Sequence, residues 1–432
     1  MQMELEALQI WGGAEYTCNR VGDRYIDQME LSGHAHRPQD YSRFADLGLT
    51  SLRIGLLWER YESASSWKWT DEHVRGASKA QLEVIAGLVH HGSGPAHTDL
   101  LDSRFPQMLA AYAGSLARRY PDIAKYTPVN EPYTTARFSG MYGLWYPHQM
   151  SRSSLFRALI HQLKATVLCM EAIRQVRNDA QLIQTDDFGR VSGTEMLRPV
   201  WENLNQRRWL AIDLLCGKVD SGHSLFRELL SAGISENEIG WFAEHPCPPD
   251  VIGINFYPTS DRYLDHQVDS YPEECRSAEG TFVDVEAVRS ENAPVLGLGD
   301  LIVEAWDRYR IPVAITEVHI GGEVNEQIRW AASIYESVLS ARSQGAQCIA
   351  MTFWALLGSF YWNQLVTREN GYYEPGVFDT RSGIPVESEL GIVVRQIAKG
   401  LAPSHQALQR SGWWLHKDRI CYPPMANERV PS

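Results

Sequence analysis

The 432-residue sequence has no excess of positive charge, no paired-cysteine motif and no long apolar run. Its 40 Lys and Arg stand against 53 Asp and Glu, a formal net charge of −13. That balance excludes nucleic acid and anionic membrane as main partners, since both select for basic patches. Seven cysteines (Cys18, Cys169, Cys216, Cys247, Cys275, Cys348 and Cys421) are scattered without CxxC or Cys/His ligand spacing, and an odd, dispersed set reads as reduced thiols. His90, His319, Asp186 and Asp187 lack ligand spacing too, so no metal is expected. Residues 1–10 show no basic region followed by an apolar stretch, and no apolar run is long enough to span a bilayer. A cytoplasmic protein is the expectation. No Gly/Ser- or Pro-rich linker interrupts the chain before about residue 400, which argues for one domain.

What is present is an alternation. Hydrophobic residues make up 44% of the chain, with 14 Trp and 19 Tyr. Short apolar runs predict strands over 8–14, 50–56, 84–91, 124–131, 180–186, 250–256, 311–317 and 347–354. Helix-like stretches lie between them at 104–119, 155–177, 296–309 and 326–344. In the last, Ile328, Ala331, Ala332, Tyr335, Val338 and Leu339 recur at helical spacing. Eight strand–helix repeats predict an α/β fold, a single (β/α)8 TIM barrel with enlarged βα loops over 1–400. Residues 401–432, with Trp413-Trp414 and Tyr422-Pro423-Pro424, read as a C-terminal extension, the tryptophans as a packing anchor. Residues 258–293 are polar and acidic, and are expected to form a long loop over the barrel mouth.

Two short peptides carry the chemistry. Pro128-Val129-Asn130-Glu131-Pro132 and Ile315-Thr316-Glu317 each set a glutamate at the end of an apolar run. Nothing in a strand pattern requires a charge there, and strand C-terminal ends line the active face of a barrel. Two carboxylates facing one pocket suit glycoside hydrolysis, one as proton donor and one as nucleophile. His91 ends the third strand and is a candidate for bonding a sugar hydroxyl. Glu15 and Asn19 follow the first strand, Asp186 and Asp187 the fifth, and His319 lies just past Glu317; each is a candidate ligand contact.

The chain resembles the clan A glycoside hydrolases, and within them the family 1 β-glycosidases, over roughly residues 9–400. Trp11-Gly12-Gly13-Ala14 resembles the family's opening, Leu52-Arg53-Ile54-Gly55-Leu56-Leu57-Trp58 its second strand, and His91 with Pro95 its His-Trp-Asp-Leu-Pro segment. Thr127–Pro132 resembles the acid/base motif, Gly253-Ile254-Asn255-Phe256-Tyr257 the sixth strand, Ile315–Glu317 the nucleophile motif, and Thr352–Gly358 the turn after the eighth strand. The resemblance implies a retaining β-glycosidase needing no cofactor. Glu131 would be the acid/base and Glu317 the nucleophile, with Arg53 and Tyr257 supporting it. Asn130 would bond the sugar 2-hydroxyl and Trp354 would floor the pocket.

The departures from that pattern matter as well. Tyr361 stands where the family has a glutamate that grips outer hydroxyls, Asn19 where it has a glutamine, and Gly92-Ser93 where it has Trp-Asp. The catalytic pair is kept while the sugar-gripping set is rewritten, so a terminal sugar other than plain glucose is expected, on an oligosaccharide or glycoconjugate. A closer resemblance, in Gly13–Asp23, Glu317-Val318-His319 and Tyr373–Asp379, is to the glycosidase-like half of bacterial fusions with a dTDP-4-dehydrorhamnose-reductase-like domain. No glycine-rich nucleotide fingerprint follows the barrel before Ser432, so the reductase half is not expected here. Two alternatives stay open: a transglycosidase, with aromatic acceptor subsites drawn from 258–293, and a non-catalytic sugar-binding protein.

Overall fold

The computed structural model describes residues 6–64, 66–277, 280–294 and 297–416. The apolar runs form eight parallel strands: β1 (Gln9–Gly13), β2 (Ser51–Gly55), β3 (Glu83–His90), β4 (Lys125–Asn130), β5 (Gln181–Asp187), β6 (Val251–Asn255), β7 (Val313–Val318) and β8 (Cys348–Phe353). Each pairs with its neighbours in chain order, and β8 pairs back onto β1 to close a barrel. Every predicted strand is present, with ends shifted by a residue or two. Near-continuous apolar sequence is what a strand buried on both faces requires.

The barrel floor holds Trp11, Ile85, Ile183, Val251, Ala314 and Ala350, a cluster drawn from six different strands. Outside the barrel, helices pack their apolar stripes onto the sheet. Phe105–Arg119 buries Leu109, Tyr112, Ala113, Leu116 and Ala117, and carries Pro106 in its first turn, where a missing N–H costs nothing. The helix expected from residue 155 begins at Arg152 because Ser151 caps it, accepting the Ser154 N–H. The helix at 326–344 runs Val324–Ser343, and the one at 296–309 runs Leu298–Tyr309.

Residues 258–293 differ from expectation. They are not a bare loop. Arg262–Asp265 pairs antiparallel with Val283–Glu286 and parallel with Val191–Gly193, making a three-stranded sheet. Tyr263, Cys275, Val283 and Val285 bury one another beneath it, and Tyr271 packs against them while its hydroxyl donates to Asp265. The alternating Val283–Glu286 signal was legible, but the polar residues around it masked its period. In the extension, Trp414 is buried edge-on against Trp330 at 5.0 Å, and the Arg289 guanidinium lies 4.4 Å over Trp413. Tyr422-Pro423-Pro424 and Cys421 lie outside the described residues. Among the described residues, no helix is long and apolar enough to cross a membrane.

Candidate active site

The C-terminal ends of the strands bring the two glutamates together. Glu131 is the residue just past β4, in left-handed backbone at φ +45°. A non-glycine residue holds that conformation only when its surroundings dictate it. Here its N–H donates to the Thr185 carbonyl at 3.1 Å, and Pro132 opens the next helix. Asp186 fixes that helix start by accepting the Tyr133 N–H at 3.0 Å and the Thr134 hydroxyl at 3.2 Å. Glu317 lies within β7, where the pairing with β6 slips between Ile315 and Glu317. Such an irregularity re-aims a side chain near a site.

The two carboxylates are dressed differently. Glu317 accepts from the Arg53 guanidinium on one oxygen and from the Tyr257 hydroxyl on the other. Arg53 in turn lies 4.2 Å over the Trp354 ring and donates to Asn130 Oδ1. Among the described residues, no Lys or Arg forms an ion pair with Glu131. Its Oε1 accepts from Asn255 Nδ2 at 2.5 Å, and Asn255 is held by the Thr316 hydroxyl at 2.7 Å. Its Oε2 lies 3.7 Å from His91 Nε2.

The electrostatics follow from that dressing. Burial pushes the Glu131 carboxyl well above its usual range, helped by the charges of Glu317, Asp187 and Asp186 and opposed by the hydrogen bond from Asn255. Burial pushes Glu317 up as well, to about 7, against the pull of Arg53 and Tyr257. The cation decides the order, so a single shared proton sits on Glu131. Burial also raises the Tyr257 hydroxyl, with Glu317 adding to the effect, which keeps it a donor. Burial and then Arg53 lower His91 to about 3, and His90 is lowered well below its usual value by burial first, so both imidazoles are neutral near pH 7.

Of the residues predicted from sequence, Glu131, Glu317, Arg53, Tyr257, Asn130, His91, Trp354 and Glu15 join in one connected cluster. Glu15 accepts from Trp354 Nε1 at 3.2 Å and from the Thr17 N–H at 2.8 Å, and lies 3.8 Å from His90 Nε2. Trp354 stacks on His90 at 5.3 Å and fits because Gly13 stands beneath it. Other candidates are engaged elsewhere. Asn19 donates to the Val366 carbonyl at 2.9 Å. Tyr361 packs with Ile26 and Val366. His319 lies 3.5 Å from Glu374, and Asp187 accepts from Ser260 and the Gly189 N–H. Trp145 Nε1 donates to the Leu365 carbonyl, so the loop after β8 is tied to those after β1 and β4. Among the described residues, no group of three or more His, Cys, Asp or Glu is arranged to hold a metal.

Asn255, Thr316 and Thr185 were given no role from sequence, and His90 was weighed only as a metal ligand. Asn255 ends the apolar run of β6, the same signal that marked Glu131, while His90 looked like strand interior. No protein-family model matches the chain.

The fold is that of a β-glucosidase. The Thermotoga maritima β-glucosidase solved with a methoxycarbonyl-substituted glucoimidazole superposes with a TM-score of 0.74 at 14% identity, over 94% of this chain and 100% of that one. In sequence, the chain is similar to the 6-phospho-beta-glucosidase of Dickeya chrysanthemi, 23% identical over 389 residues and 81% of each chain. It is also similar to Beta-glucosidase 47 of Arabidopsis thaliana, 22% identical over 431 residues, covering 88% of this chain and 78% of that one.

Proposed function

We propose that the protein is a retaining β-glycosidase that hydrolyses an oligosaccharide or glycoconjugate by double displacement. Glu131 protonates the glycosidic oxygen while Glu317 attacks the anomeric carbon; Glu131 then takes a proton from the water that releases the sugar. The observation that carries this reading is the asymmetry of the pair. Glu317 has a guanidinium and a phenol to keep it ionised, whereas Glu131 is kept protonated first by burial and then by its acidic neighbours. Asn130, its Oδ1 held by Arg53 and Thr185, would exchange one of its Nδ2 contacts to His90 and His91 for the sugar 2-hydroxyl, and Trp354 would offer its face to the ring.

A neutral sugar suits the site better than the phosphorylated one named for the Dickeya relative. Arg53 is committed to Glu317 and Asn130, the charge of Arg137 is offset by Asp186 and Asp187, and Glu15 adds negative charge beside Glu317. Transglycosylation draws no support from 258–293, whose Tyr263 and Tyr271 are used in their own small core. We also read the chain as similar to the glycosidase-like half of the bacterial reductase fusions. Two of the stretches behind that likeness meet in the fold, through His319 and Glu374. The free thiols at Cys18, Cys169, Cys216, Cys247, Cys275 and Cys348 support a reducing, cytoplasmic setting.

The test is a panel of aryl β-glycosides, covering hexosides, pentosides, uronides, deoxy sugars and 6-phosphosugars, with Glu317→Gln beside the wild type. Release from a neutral glycoside by the wild type alone, with the β anomer formed first by NMR, is the expected result. Initial release of the α anomer would overturn retention, and silence across the panel with sugar still bound would favour the non-catalytic binder.

A further inference from the structure

Glu131 has one oxygen anchored and one not. Asn255 holds Oε1, so the acid's proton belongs on Oε2, which faces His91 Nε2 at 3.7 Å. Which form of the imidazole it meets follows from the neighbours. Asn130 Oδ1 receives donors from Arg53 Nη1, Thr185 Oγ1 and Asn255 Nδ2, which orients its amide unambiguously. The Asn130 Nδ2 donor therefore points at the histidines, 3.3 Å from His90 Nε2 and 3.4 Å from His91 Nε2. A nitrogen facing a donor carries a lone pair, so the His91 proton is on Nδ1, where Thr135 Oγ1 accepts it at 3.0 Å. The ring is clamped further by Trp145 at 5.0 Å and Trp362 at 5.7 Å, and its backbone sits at φ +55°. A lone pair held this rigidly beside the free oxygen of an acid is a proton acceptor with a fixed direction.

We propose that His91 is a positioning residue for Glu131: its Nε2 lone pair, shared with the long 3.4 Å contact from Asn130 Nδ2, accepts a hydrogen bond from the protonated Oε2 and holds that proton ready for the leaving group. The inference rests on the reading of Glu131 as the acid. In the first chemical step the proton passes from Oε2 to the glycosidic oxygen as the C–O bond breaks, leaving Glu131 a carboxylate. His91 begins and ends the step neutral, in keeping with its low basicity. The 3.7 Å separation closes to hydrogen-bond length with a small turn of the carboxyl once Oε2 carries the proton, before any substrate is bound. The groups facing Glu131 are Asp186, Asp187, Asn255, Tyr257, Glu317 and His91; those facing His91 are His90, Thr135, Asn130, Arg53 and Glu131.

The experiment is a titration of Glu131 in the protein without substrate, following the δ-carboxyl carbon of labelled glutamate and assigning it by its absence in Glu131→Gln. Asp186 and Asp187 carry no label in this scheme. His91→Phe keeps a ring between Trp145 and Trp362 but removes the acceptor. The expected result is a Glu131 midpoint lower by about one pH unit, with the high-pH limb of kcat/KM falling in step. Thr135→Val frees Nδ1–H and shifts the midpoint the same way by less. A midpoint unmoved or raised in His91→Phe overturns the proposal; if that variant does not fold, an unmoved midpoint in Thr135→Val does so. Because the titration needs no turnover, a shifted midpoint in a protein that cleaves no glycoside would leave the contact standing and overturn the hydrolase reading instead.

Discussion

Asn255 and His91 act on the two oxygens of one carboxyl group with opposite sign. Asn255 donates to Oε1 and so favours the charged form, whereas His91 accepts and favours the neutral one. Removing the donor with Asn255→Ala is expected to raise the Glu131 midpoint and move the high-pH limb of kcat/KM upward. The loss of a fixed orientation should cost about tenfold or more in rate. A downward limb in Asn255→Ala, measured on any cleaved aryl glycoside, would mean that the amide contributes something other than its hydrogen bond. At this scale the sequence was most readable where a charge stood without a structural reason. Glu131 and Glu317 qualified, and so did Glu15. Asn19 and Tyr361 were less readable because their partners, Val366 and Ile26, lie on loops whose paths no periodicity reveals. Asn255 was overlooked, although a polar residue closing an apolar strand carries the same information as a glutamate in that place.

The strands themselves are the most legible part of the molecule. A parallel strand buried on both faces writes a continuous apolar run, and each of β1 to β8 does so. Where elements are built from polar residues, as between β6 and β7, the period is hidden and the small sheet there was mistaken for a loop. Glycines in the strands have a further meaning that pattern alone does not disclose. A Cβ on Gly13 would fall 2.3 Å from Trp354 Cζ3, and one on Gly55 would fall 2.6 Å from the Tyr16 ring. These strands thin themselves so that two aromatic rings can enter the barrel mouth and border Arg53. Gly13→Ala is therefore expected to push Trp354 off Arg53 and His90, lowering kcat/KM by about tenfold to a hundredfold. Overpacking should also cost about 1–3 kcal/mol of stability. Chemical denaturation of the variant beside its kinetics checks both; unchanged kinetics would mean that Trp354 is not the floor of the sugar site.

At the scale of the whole molecule, the active centre is a source of instability. The folded state holds the Glu131 proton to higher pH than the unfolded chain, whose carboxyl keeps an ordinary value near 4.5. Above that value the fold is the state that binds more protons, so this group's contribution weakens as pH rises toward its folded pKa and is lost beyond it. Glu317 acts in the same direction between 4.5 and about 7. Replacing Glu131 with glutamine keeps an acceptor for Asn255 and removes the buried charge. Glu131→Gln should therefore melt a few degrees above the wild type at alkaline pH, the gap closing as the pH falls to about 4. Melting curves of both proteins across that range decide the matter, and a gap independent of pH would point to packing instead. The overall architecture survives at 14% identity to the Thermotoga enzyme because a barrel asks only for apolar runs at the right intervals. The site asks for particular atoms, which is why it is the part that single residues can spoil.

The ties that Trp145 and Asn19 make to Leu365 and Val366 join loops from opposite stretches of the chain across the rim. Behind them both glutamates are almost wholly enclosed. If Glu317 is the nucleophile proposed above, a glycosyl group carried on it would lie behind this fastened rim. The choice between water and an alcohol would then be a matter of admission rather than of reactivity, with the product decided at the doorway.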